Sequence, residues 1–314
     1  MLNESVKDAV FDALKKSISR QVSIDCKPWG LQVHEYLNET ERFQEAFDHL
    51  EDEMSRMVFL WCVKYRIASY LAQSRDMADD LFPPVIAPRQ WAKMMAQAQG
   101  VPEIDLEGHL DIDLVENFVI DGYRLPGICE IAEGDTIIDL GAFNGNSSIV
   151  LARHAGPSGH VFAFEPNPET RDMLARNLDK VGADNVRVVP AGVSDSAGEL
   201  GFVQAGAGSR FDPSGDIRVP VVTIDDFMAD QNIDRMDFLK LDIEGYEMQA
   251  LRGARKTIRE YRPKIAIAVY HLHRDMYEIQ EFIRSLSPWY KFYLRHNYTV
   301  DAEIVMFCQP VDRA

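Results

Sequence analysis

Hydrophobic residues along the chain change their spacing at about residue 120. Before that point they recur at intervals of three and four, as at Val6, Val10 and Leu14, which is the spacing of one face of a helix. From residue 136 onward, short apolar runs alternate with segments of helical length. The first pattern predicts a helical accessory region over residues 1–115, and the second predicts a sheet-containing domain over residues 116–314.

Seven apolar runs in the second region predict seven strands. They lie at residues 136–140, 161–164, 186–190, 236–241, 265–270, 290–294 and 303–308. Because helices separate the strands, the predicted fold is an α/β, mostly parallel, doubly wound sheet. The stretch from Gly206 to Gly215 is predicted to be a glycine-rich loop. The helices of the first region are expected to cover the open side of this sheet and to shape an acceptor pocket.

The first predicted strand ends in an acid that is followed by a glycine turn. Asp139 precedes Gly141 and Gly145, and the next strand ends in a second acid, Glu165, 26 residues beyond Asp139. Glycine lets the backbone bend sharply and lets a ligand approach without a Cβ in the way. A carboxylate at the tip of the second strand can accept hydrogen bonds from both hydroxyls of a ribose. The pattern therefore predicts a nucleoside site.

Two common nucleotide signatures are missing from this turn. A dinucleotide fingerprint that starts at Gly141 would need glycine at two positions where the chain has Phe143 and Asn146. A phosphate-binding loop would need a lysine at the helix start, and no lysine lies between Asp135 and Lys180. NAD, ATP and GTP are therefore disfavoured. A positively charged nucleoside without phosphate, such as S-adenosylmethionine, suits the turn better.

The composition of the chain argues against several classes of partner and site. The 314 residues carry a formal net charge of −17, which argues against nucleic acid as a partner. The four cysteines (Cys26, Cys62, Cys129 and Cys308) form no Cys-x-x-Cys pair, so neither a zinc site nor a disulfide framework is indicated. The N-terminus lacks a signal-peptide pattern, and no apolar run reaches membrane-spanning length. These features predict a cytoplasmic protein without membrane insertion.

The fourth and fifth strand ends carry the groups best suited to chemistry. Lys240, Asp242 and Glu244 are two residues apart and would share one face if the strand ran through Ile243. A nearby ammonium favours ionised carboxylates, which can act as a base or as metal ligands. Glu244 has a second interpretation as an acid stabilised at a helix N-terminus.

Two histidines, His271 and His273, follow the fifth strand. They predict acid–base catalysis or metal binding opposite Asp242. Asp242 and His271 are the candidate metal ligands. A divalent metal is open but not favoured, because a second carboxylate at the position of His271 would suit Mg²⁺ better.

Several of these segments, taken in order, resemble the FkbM-type methyltransferases. The resemblance rests on the segments that begin at Ile138 (IDLGA), Phe164 (FEPNP), Ala191 (AGVSD), Val222 (VTIDDF), Phe238 (FLKLDIEGYE) and Leu251 (LRGA). It covers about residues 120 to 310. It implies a class I methyltransferase (Rossmann-like) sheet that binds S-adenosylmethionine and O-methylates sugars, glycans or secondary metabolites. One departure is that many members end the fifth strand with glutamate, where this chain has Ala268-Val-Tyr-His.

The sequence thus predicts an S-adenosylmethionine-dependent O-methyltransferase that acts on a small-molecule or glycan acceptor. The predicted catalytic residues are Asp242, Glu244 and His271, with Lys240 tuning them. The predicted cofactor-binding residues are Asp139, Gly141, Ala142, Asn144, Gly145, Asn146, Ser147, Glu165, Pro166, Asn167, Gly192 and Asp242. A non-catalytic nucleoside-binding protein and an NAD-dependent oxidoreductase remain alternatives, and a homo-oligomer remains open.

Overall fold

The structure is a computed structural model that describes residues 5–19, 35–72, 75–108, 110–215 and 217–311. Its first part is helical. The helices are α1 (Val6–Ser19), α2 (Thr40–Asp48), α3 (Glu53–Ala72), α4 (Arg75–Leu81), α5 (Pro88–Ala98) and α6 (Asp111–Leu114), with a 3₁₀ turn at Pro102–Asp105. Helix α6 continues directly into a π-helical turn, Val115–Ile120. The predicted helical region is therefore present, and Cys26 lies outside the described residues.

Helix α3 is the centre of the helical region. It runs for 20 residues without glycine or proline, and apolar side chains on all its faces are buried, among them Phe59, Val63 and Ile67. A helix that is apolar all round is one that is enclosed by its neighbours. Helix α3 packs against α1 and α4 on one side and against strand β10 (Tyr290–His296) of the sheet on another.

The second part of the chain forms a seven-stranded sheet in the order β10-β11-β9-β8-β1-β2-β3. Its remaining strands are β1 (Thr136–Leu140), β2 (His160–Phe164), β3 (Val186–Val189), β8 (Phe238–Leu241), β9 (Lys264–Ala268) and β11 (Ile304–Pro310). Strand β11 is antiparallel to both of its neighbours, and the other pairs are parallel. The predicted seven strands and mostly parallel sheet are confirmed.

The helices that follow the strands are α7 (Asn146–Ala155), α8 (Pro168–Val181), α9 (Ile224–Asp230), α10 (Glu247–Gly253), α11 (Arg255–Tyr261) and α12 (Asp275–Leu286). Helix α8 shows how the sequence sets such boundaries. The side chain of Asn167 accepts a hydrogen bond from the amide of Glu169 at 3.2 Å, and Pro168 occupies the first turn. Gly182 ends the helix in a left-handed conformation with φ +67°.

A second, four-stranded sheet was not predicted. It has the order β4-β7-β5-β6, with β4 at Gly192–Val193, β5 at Gly198–Val203, β6 at Arg210–Phe211 and β7 at Ile217–Val222. The stretch from Gly206 to Gly215 is therefore not only a loop, because it contains strand β6. Glycine and proline in or beside these short strands conceal them in the sequence, since both residues usually indicate turns.

The helical region and the sheet share one hydrophobic core. Phe43 of α2 and Phe59 of α3 belong to the same buried cluster as Ile138, Leu239 and Phe292 of the sheet. Because one buried cluster includes side chains of both regions, the predicted boundary near residue 115 marks a change of secondary structure along the chain.

A buried arginine on α3 fastens the helices to the loops at the strand ends. Arg66 is 1 % exposed, and its Nη2 donates to the carbonyl oxygens of Tyr270 at 2.8 Å and Asp301 at 3.2 Å. His273 belongs to the same contact: its Nδ1 lies 3.3 Å from Arg66 Nη1, and its Nε2 lies 3.0 Å from the hydroxyl of Tyr70. Burial, and then the charge of Arg66, lower the pKa of His273 to about 3, so this histidine is neutral.

Candidate active site

A cavity opens where the carboxyl ends of β1, β2 and β8 face the small sheet. It encloses about 590 Å³ of empty space, including the part that is open to solvent. Among the predicted site residues, those that line it are Gly141, Glu165, Pro166, Gly192, Asp242 and Glu244. Aromatic side chains from both sheets and their loops form much of the rest of the wall, namely Phe143, Phe164, Phe202 and Phe211. The small sheet is therefore one wall of the site.

The turn after β1 packs closely against the turn after β8. Gly141 has φ +82°, and a Cβ at this position would lie 1.8 Å from the carbonyl oxygen of Asp242. Only glycine permits that approach of backbone to backbone. Gly145 has φ +95° and begins α7, and a Cβ there would lie 2.6 Å from Leu174 Cδ1. Phe143, between them, has φ +47° although it is not glycine.

Asp139 lies beneath this turn rather than in the cavity. It is fully buried, and its Oδ2 accepts hydrogen bonds from Ser147 at 2.8 Å and Ser148 at 2.6 Å. Lys240 Nζ lies 3.1 Å from its Oδ1 and donates to the carbonyl oxygen of Gly141 at 2.9 Å. Although burial alone would lower the pKa of Lys240, the charges of Asp139 and Asp242 raise it above its usual value. This ion pair fixes the turn from below.

Four more predicted cofactor residues also lie behind the cavity wall. Ala142, Asn144, Gly145 and Asn146 support the turn, with Asn144 Oδ1 accepting a hydrogen bond from the amide of Asn146 at 3.2 Å. The carbonyl oxygen of Asn144 accepts from Asn177 at 2.8 Å. Their direct contact with a cofactor, like that of Asp139, Ser147 and Asn167, stays a prediction.

Glu165 is held with both of its oxygens directed by backbone amides. Oε2 accepts from the amide of Phe143 at 3.1 Å, and Oε1 accepts from the amide of Asn167 at 2.8 Å. Each carboxylate oxygen can accept a second hydrogen bond. Burial raises the pKa of Glu165 to about 7, and the two amide donors oppose that rise. The residue can thus present two acceptor oxygens to a pair of vicinal hydroxyls.

Asp242 lies directly after β8 and is held by two tyrosine hydroxyls. Tyr123 donates to its Oδ2 at 2.6 Å, and Tyr270 donates to its Oδ1 at 3.3 Å. The predicted strand through Ile243 is wrong, because β8 ends at Leu241 and Glu244 has φ +55°. Alternation along a strand therefore does not bring the three charged residues together. Lys240 points to Asp139, whereas a turn brings Glu244 back to the side of Asp242.

His271 lies between the carboxylates of this turn. Its Nδ1 lies 2.9 Å from Oε1 of the fully buried Glu247, and its Nε2 lies 3.5 Å from both Asp242 Oδ1 and Glu244 Oε2. Burial alone would lower the pKa of His271, but the hydrogen bond and charge of Glu247, with the charges of Asp242 and Glu244, raise it to about 9. Burial raises the pKa of Glu244 to about 7. The carboxylates around His271 thus stabilise the positively charged form of its ring.

A pair of buried acids lies behind the tyrosines. The hydroxyl of Tyr123 is 3.5 Å from Oε2 of Glu116, in the π-helical turn, and the hydroxyl of Tyr270 is 3.4 Å from Oε1 of Glu303. Burial and the charge of Asp242 raise the pKa of Glu116 to about 7. Burial and the charge of Glu116 raise the pKa of Glu303 well above its usual range. Burial and the neighbouring carboxylates thus disfavour the ionised form of both acids.

The structure brings Asp242, Glu244 and His271 together, as the sequence predicts, and it moves Lys240 to the other side of the β1 turn. Sequence reasoning did not identify Tyr123, Glu116, Glu247 and Glu303 as site residues. Only Glu247 carried a local signal, since it follows the acid-rich turn at the start of α10. The other three come from distant segments that only the fold joins.

These features define a class of protein before any comparison. A sheet with the order observed here, a glycine turn after β1 and acids at the tips of β2 and β8 form the class I methyltransferase fold. A crystal structure of methyltransferase FkbM from Methylobacillus flagellatus shares this fold, with a TM-score of 0.61 and 21% identity over 88% of this chain and 60% of that one.

The sequence profile of the methyltransferase FkbM domain matches residues 139–299, about half of the chain. The chain therefore belongs to the FkbM methyltransferase family. It is 27% identical over 136 residues to the hexuronic acid methyltransferase AglP of Haloferax volcanii, a match that covers 41% of this chain and 54% of AglP. It is 23% identical over 172 residues to the 2-O-methyltransferase NoeI of Sinorhizobium fredii, covering 48% of this chain and 68% of NoeI.

The chain matches only part of the length of these relatives. The chain spans about half of AglP. It is also 27% identical over 163 residues to the methyltransferase sdnD of Sordaria araneosa, a match that covers 40% of this chain and 62% of sdnD. Within the described part of the chain, every helix is too short or too polar to cross a membrane.

Proposed function

We propose that this chain transfers a methyl group from S-adenosylmethionine to a hydroxyl oxygen of a sugar, glycan or secondary metabolite. The observation that carries the proposal is the lining of the cavity. It includes Glu165, whose two carboxylate oxygens can accept hydrogen bonds, and it also includes Asp242 and Glu244. A nucleoside cofactor and a group that needs deprotonation would thus meet in one enclosed space.

The cavity fits the nucleoside part of the cofactor. A Cβ at Gly141 would collide with the backbone of Asp242, so the glycine leaves a smooth surface against which a ligand can lie. Each oxygen of Glu165 accepts one backbone amide and can accept a further hydrogen bond, which supports a role for this carboxylate in binding the two ribose hydroxyls. The aromatic wall that includes Phe211 of the small sheet suits a flat base.

The remaining residues supply alignment and a proton acceptor. The cofactor brings a methyl group already activated by its sulfonium. The chain must then hold an acceptor oxygen in line with that methyl group, which can contribute about 7–11 kcal/mol. It must also remove the hydroxyl proton, for which a positioned base contributes about 10²–10⁴-fold. Asp242 and Glu244 line the cavity and are close enough to share this work, with His271 balancing their charge.

Two alternatives are disfavoured by the same geometry. A dinucleotide fingerprint that starts at Gly141 needs glycine at position 143. This chain has Phe143 there, and Phe143 lines the cavity, which argues against an NAD-dependent oxidoreductase. A protein that only binds a nucleoside needs no acids beyond the ribose site, whereas this cavity has Asp242 and Glu244 at its other side.

One relative is named a hexuronic acid methyltransferase, which supports a carbohydrate acceptor, and another is named a 2-O-methyltransferase, which supports transfer to oxygen. The aromatic and carboxylate groups around Asp242 are compatible with a polyhydroxylated ligand. We therefore propose a sugar hydroxyl, on a free sugar or a glycan, as the first acceptor to test.

Calorimetry and a transfer assay test the proposal. The chain should bind S-adenosylhomocysteine and not NAD. With S-adenosylmethionine labelled in the methyl group, it should form an O-methyl product from at least one member of a panel of uronic acid and neutral sugar glycosides, detected by NMR. Binding of NAD with no binding of S-adenosylhomocysteine would contradict the proposal.

A further inference from the structure

Three ligand atoms converge at the edge of the cavity. One oxygen of Asp242, one oxygen of Glu244 and one ring nitrogen of His271 all lie within 4.8 Å of one another. The nitrogen is Nε2, which is 3.5 Å from Asp242 Oδ1 and 3.5 Å from Glu244 Oε2. Atoms at such separations need only small side-chain shifts to surround one ion at metal–ligand distances of about 2.0–2.6 Å.

A second observation points to a ligand at the same place. The side chain of His271 is 9 % exposed, yet Nε2 makes no hydrogen bond within the described part of the chain. A buried polar atom without a hydrogen bond costs free energy unless something else binds it. Both carboxylates face this atom, so the surroundings favour a cation there, which is either a proton on Nε2 or a metal ion in its place.

The other side of the imidazole ring is arranged as it is in metal sites. Nδ1 of His271 lies 2.9 Å from Oε1 of Glu247, which also accepts the amide of Ile243 at 2.9 Å. Histidines that bind metals commonly donate their second ring nitrogen to a carboxylate, which fixes the tautomer and the ring orientation. Glu247 is fully buried and therefore holds the ring in one position.

We propose that Asp242, Glu244 and His271 bind one divalent cation at the edge of the cavity, with Glu247 as the residue that orients His271. This inference rests on the proposed function. Two carboxylate oxygens and one imidazole nitrogen suit Mn²⁺, Fe²⁺ or Zn²⁺ better than Mg²⁺, which prefers oxygen ligands and keeps several waters.

The cation would act on the acceptor hydroxyl. Binding of that oxygen to the ion lowers the pKa of the hydroxyl. Its proton then passes to a carboxylate oxygen of Glu244 that is not bound to the ion, so one O–H bond breaks and another forms. The acceptor oxygen keeps the electron pair and forms the new bond to the methyl carbon, while the electrons of the sulfur–carbon bond return to sulfur.

Mn²⁺ alone is the probe for the test. The full chain is titrated with Mn²⁺, and free Mn²⁺ is followed by electron paramagnetic resonance. The wild type should bind one ion per chain. Asp242→Asn, Glu244→Gln and His271→Ala should each weaken binding by at least about tenfold, and Glu247→Gln should weaken it by about 10- to 100-fold through the lost orientation.

Glu41→Gln and His160→Ala serve as matched controls, because both side chains are exposed and lie outside the cavity. They should bind Mn²⁺ as the wild type does. All variants are also titrated with S-adenosylhomocysteine, which reports folding and the cofactor half independently. If the wild type binds S-adenosylhomocysteine but no Mn²⁺, or if the three ligand variants bind Mn²⁺ unchanged, the cation site is overturned. Loss of S-adenosylhomocysteine binding by the wild type would instead overturn the proposed function.

Discussion

The two halves of the cavity treat their carboxylates in opposite ways. On the β1–β2 side, Asp139 is neutralised by Lys240 and two serine hydroxyls, and Glu165 is held by two backbone amides. On the β8–β9 side, Asp242 and Glu244 share one histidine. The first half pairs its two carboxylates with a lysine and several hydrogen-bond donors, while the second half gathers Asp242, Glu244 and Glu247 around a single histidine. We infer from this difference that the first half would recognise a ligand and that the second would hold a positive charge or a proton.

The largest expected effect comes from the acid-rich half. Asp242→Asn should lower kcat by about 10²-fold or more, because the amide can neither accept a proton as the carboxylate does nor bind a cation as strongly. Affinity for S-adenosylhomocysteine should change little. Steady-state kinetics and calorimetry check both values. Asp230→Asn, at the exposed end of α9, is the control. Normal kcat in Asp242→Asn would show that the two halves do not divide the work in this way.

The next effect belongs to the recognition half. Glu165→Gln should weaken S-adenosylhomocysteine binding by about 10- to 100-fold, since a hydrogen bond to a charged acceptor contributes about 1.5–3 kcal/mol. Glu169→Gln, an exposed acid four residues along the chain, should bind as the wild type does. Calorimetry measures both, and equal affinities for the two variants would remove Glu165 from the cofactor site.

The pH dependence of binding should separate the halves further. Burial places the pKa of Glu165 at about 7, above the ordinary value of 4.5. As the pH falls through 7, the carboxyl takes up a proton and loses acceptor capacity, so affinity for S-adenosylhomocysteine should fall by up to about tenfold per pH unit. Above pH 7 it should be constant. The Glu165→Gln variant should show no such dependence between pH 5.5 and 8, and a slope that persists in this variant would assign the titration elsewhere.

The smallest expected effect concerns Tyr123, the tyrosine that donates to Oδ2 of Asp242. Tyr123→Phe removes one hydrogen bond to Asp242 but leaves the carboxylate and its bond from Tyr270 in place, so kcat should fall by only about 3- to 10-fold. Binding of S-adenosylhomocysteine should not change. Tyr290→Phe is the matched control, because its buried hydroxyl donates to the carbonyl oxygen of Pro263, in the loop before β9 and outside the cavity lining. Equal kcat for the two variants would show that Asp242 needs no such support.

The recognition half was also the easier half to predict from sequence. Gly141 and Glu165 lie within one βαβ segment, where spacing along the chain reflects spacing in the fold. In the acid-rich half, the sequence predicted Asp242, but Glu116 and Glu303 come from distant segments that no local pattern joins to it. Lys240 was expected beside Asp242, but its ammonium pairs with Asp139. Because β8 ends at Leu241, the alternation of side chains along a strand does not extend to Asp242 and Glu244.

The seven strands of the large sheet were predicted, whereas the small sheet was missed. The strands of the large sheet are mostly apolar, and its central strands β1, β8 and β9 are buried along nearly their whole length, as is typical of strands covered on both faces. The strands of the small sheet are short or contain residues such as Gly201 and Pro220, which favour turns in a single sequence. Its contribution to the cavity wall, for example through Phe211, therefore becomes visible only in the fold.

The guanidinium of Arg66 has a consequence for motion. It binds the carbonyl oxygens of Tyr270 and Asp301, which lie in two different loops, and it is itself embedded in α3. Neither loop can open unless the buried charge is exposed or the helix moves with it. The loops and α3 should thus open as one cooperative unit. In native-state hydrogen exchange, amides 270–273 and the middle of α3 should show the same opening free energy, and Arg66→Leu should lower that energy for the loops more than for β1.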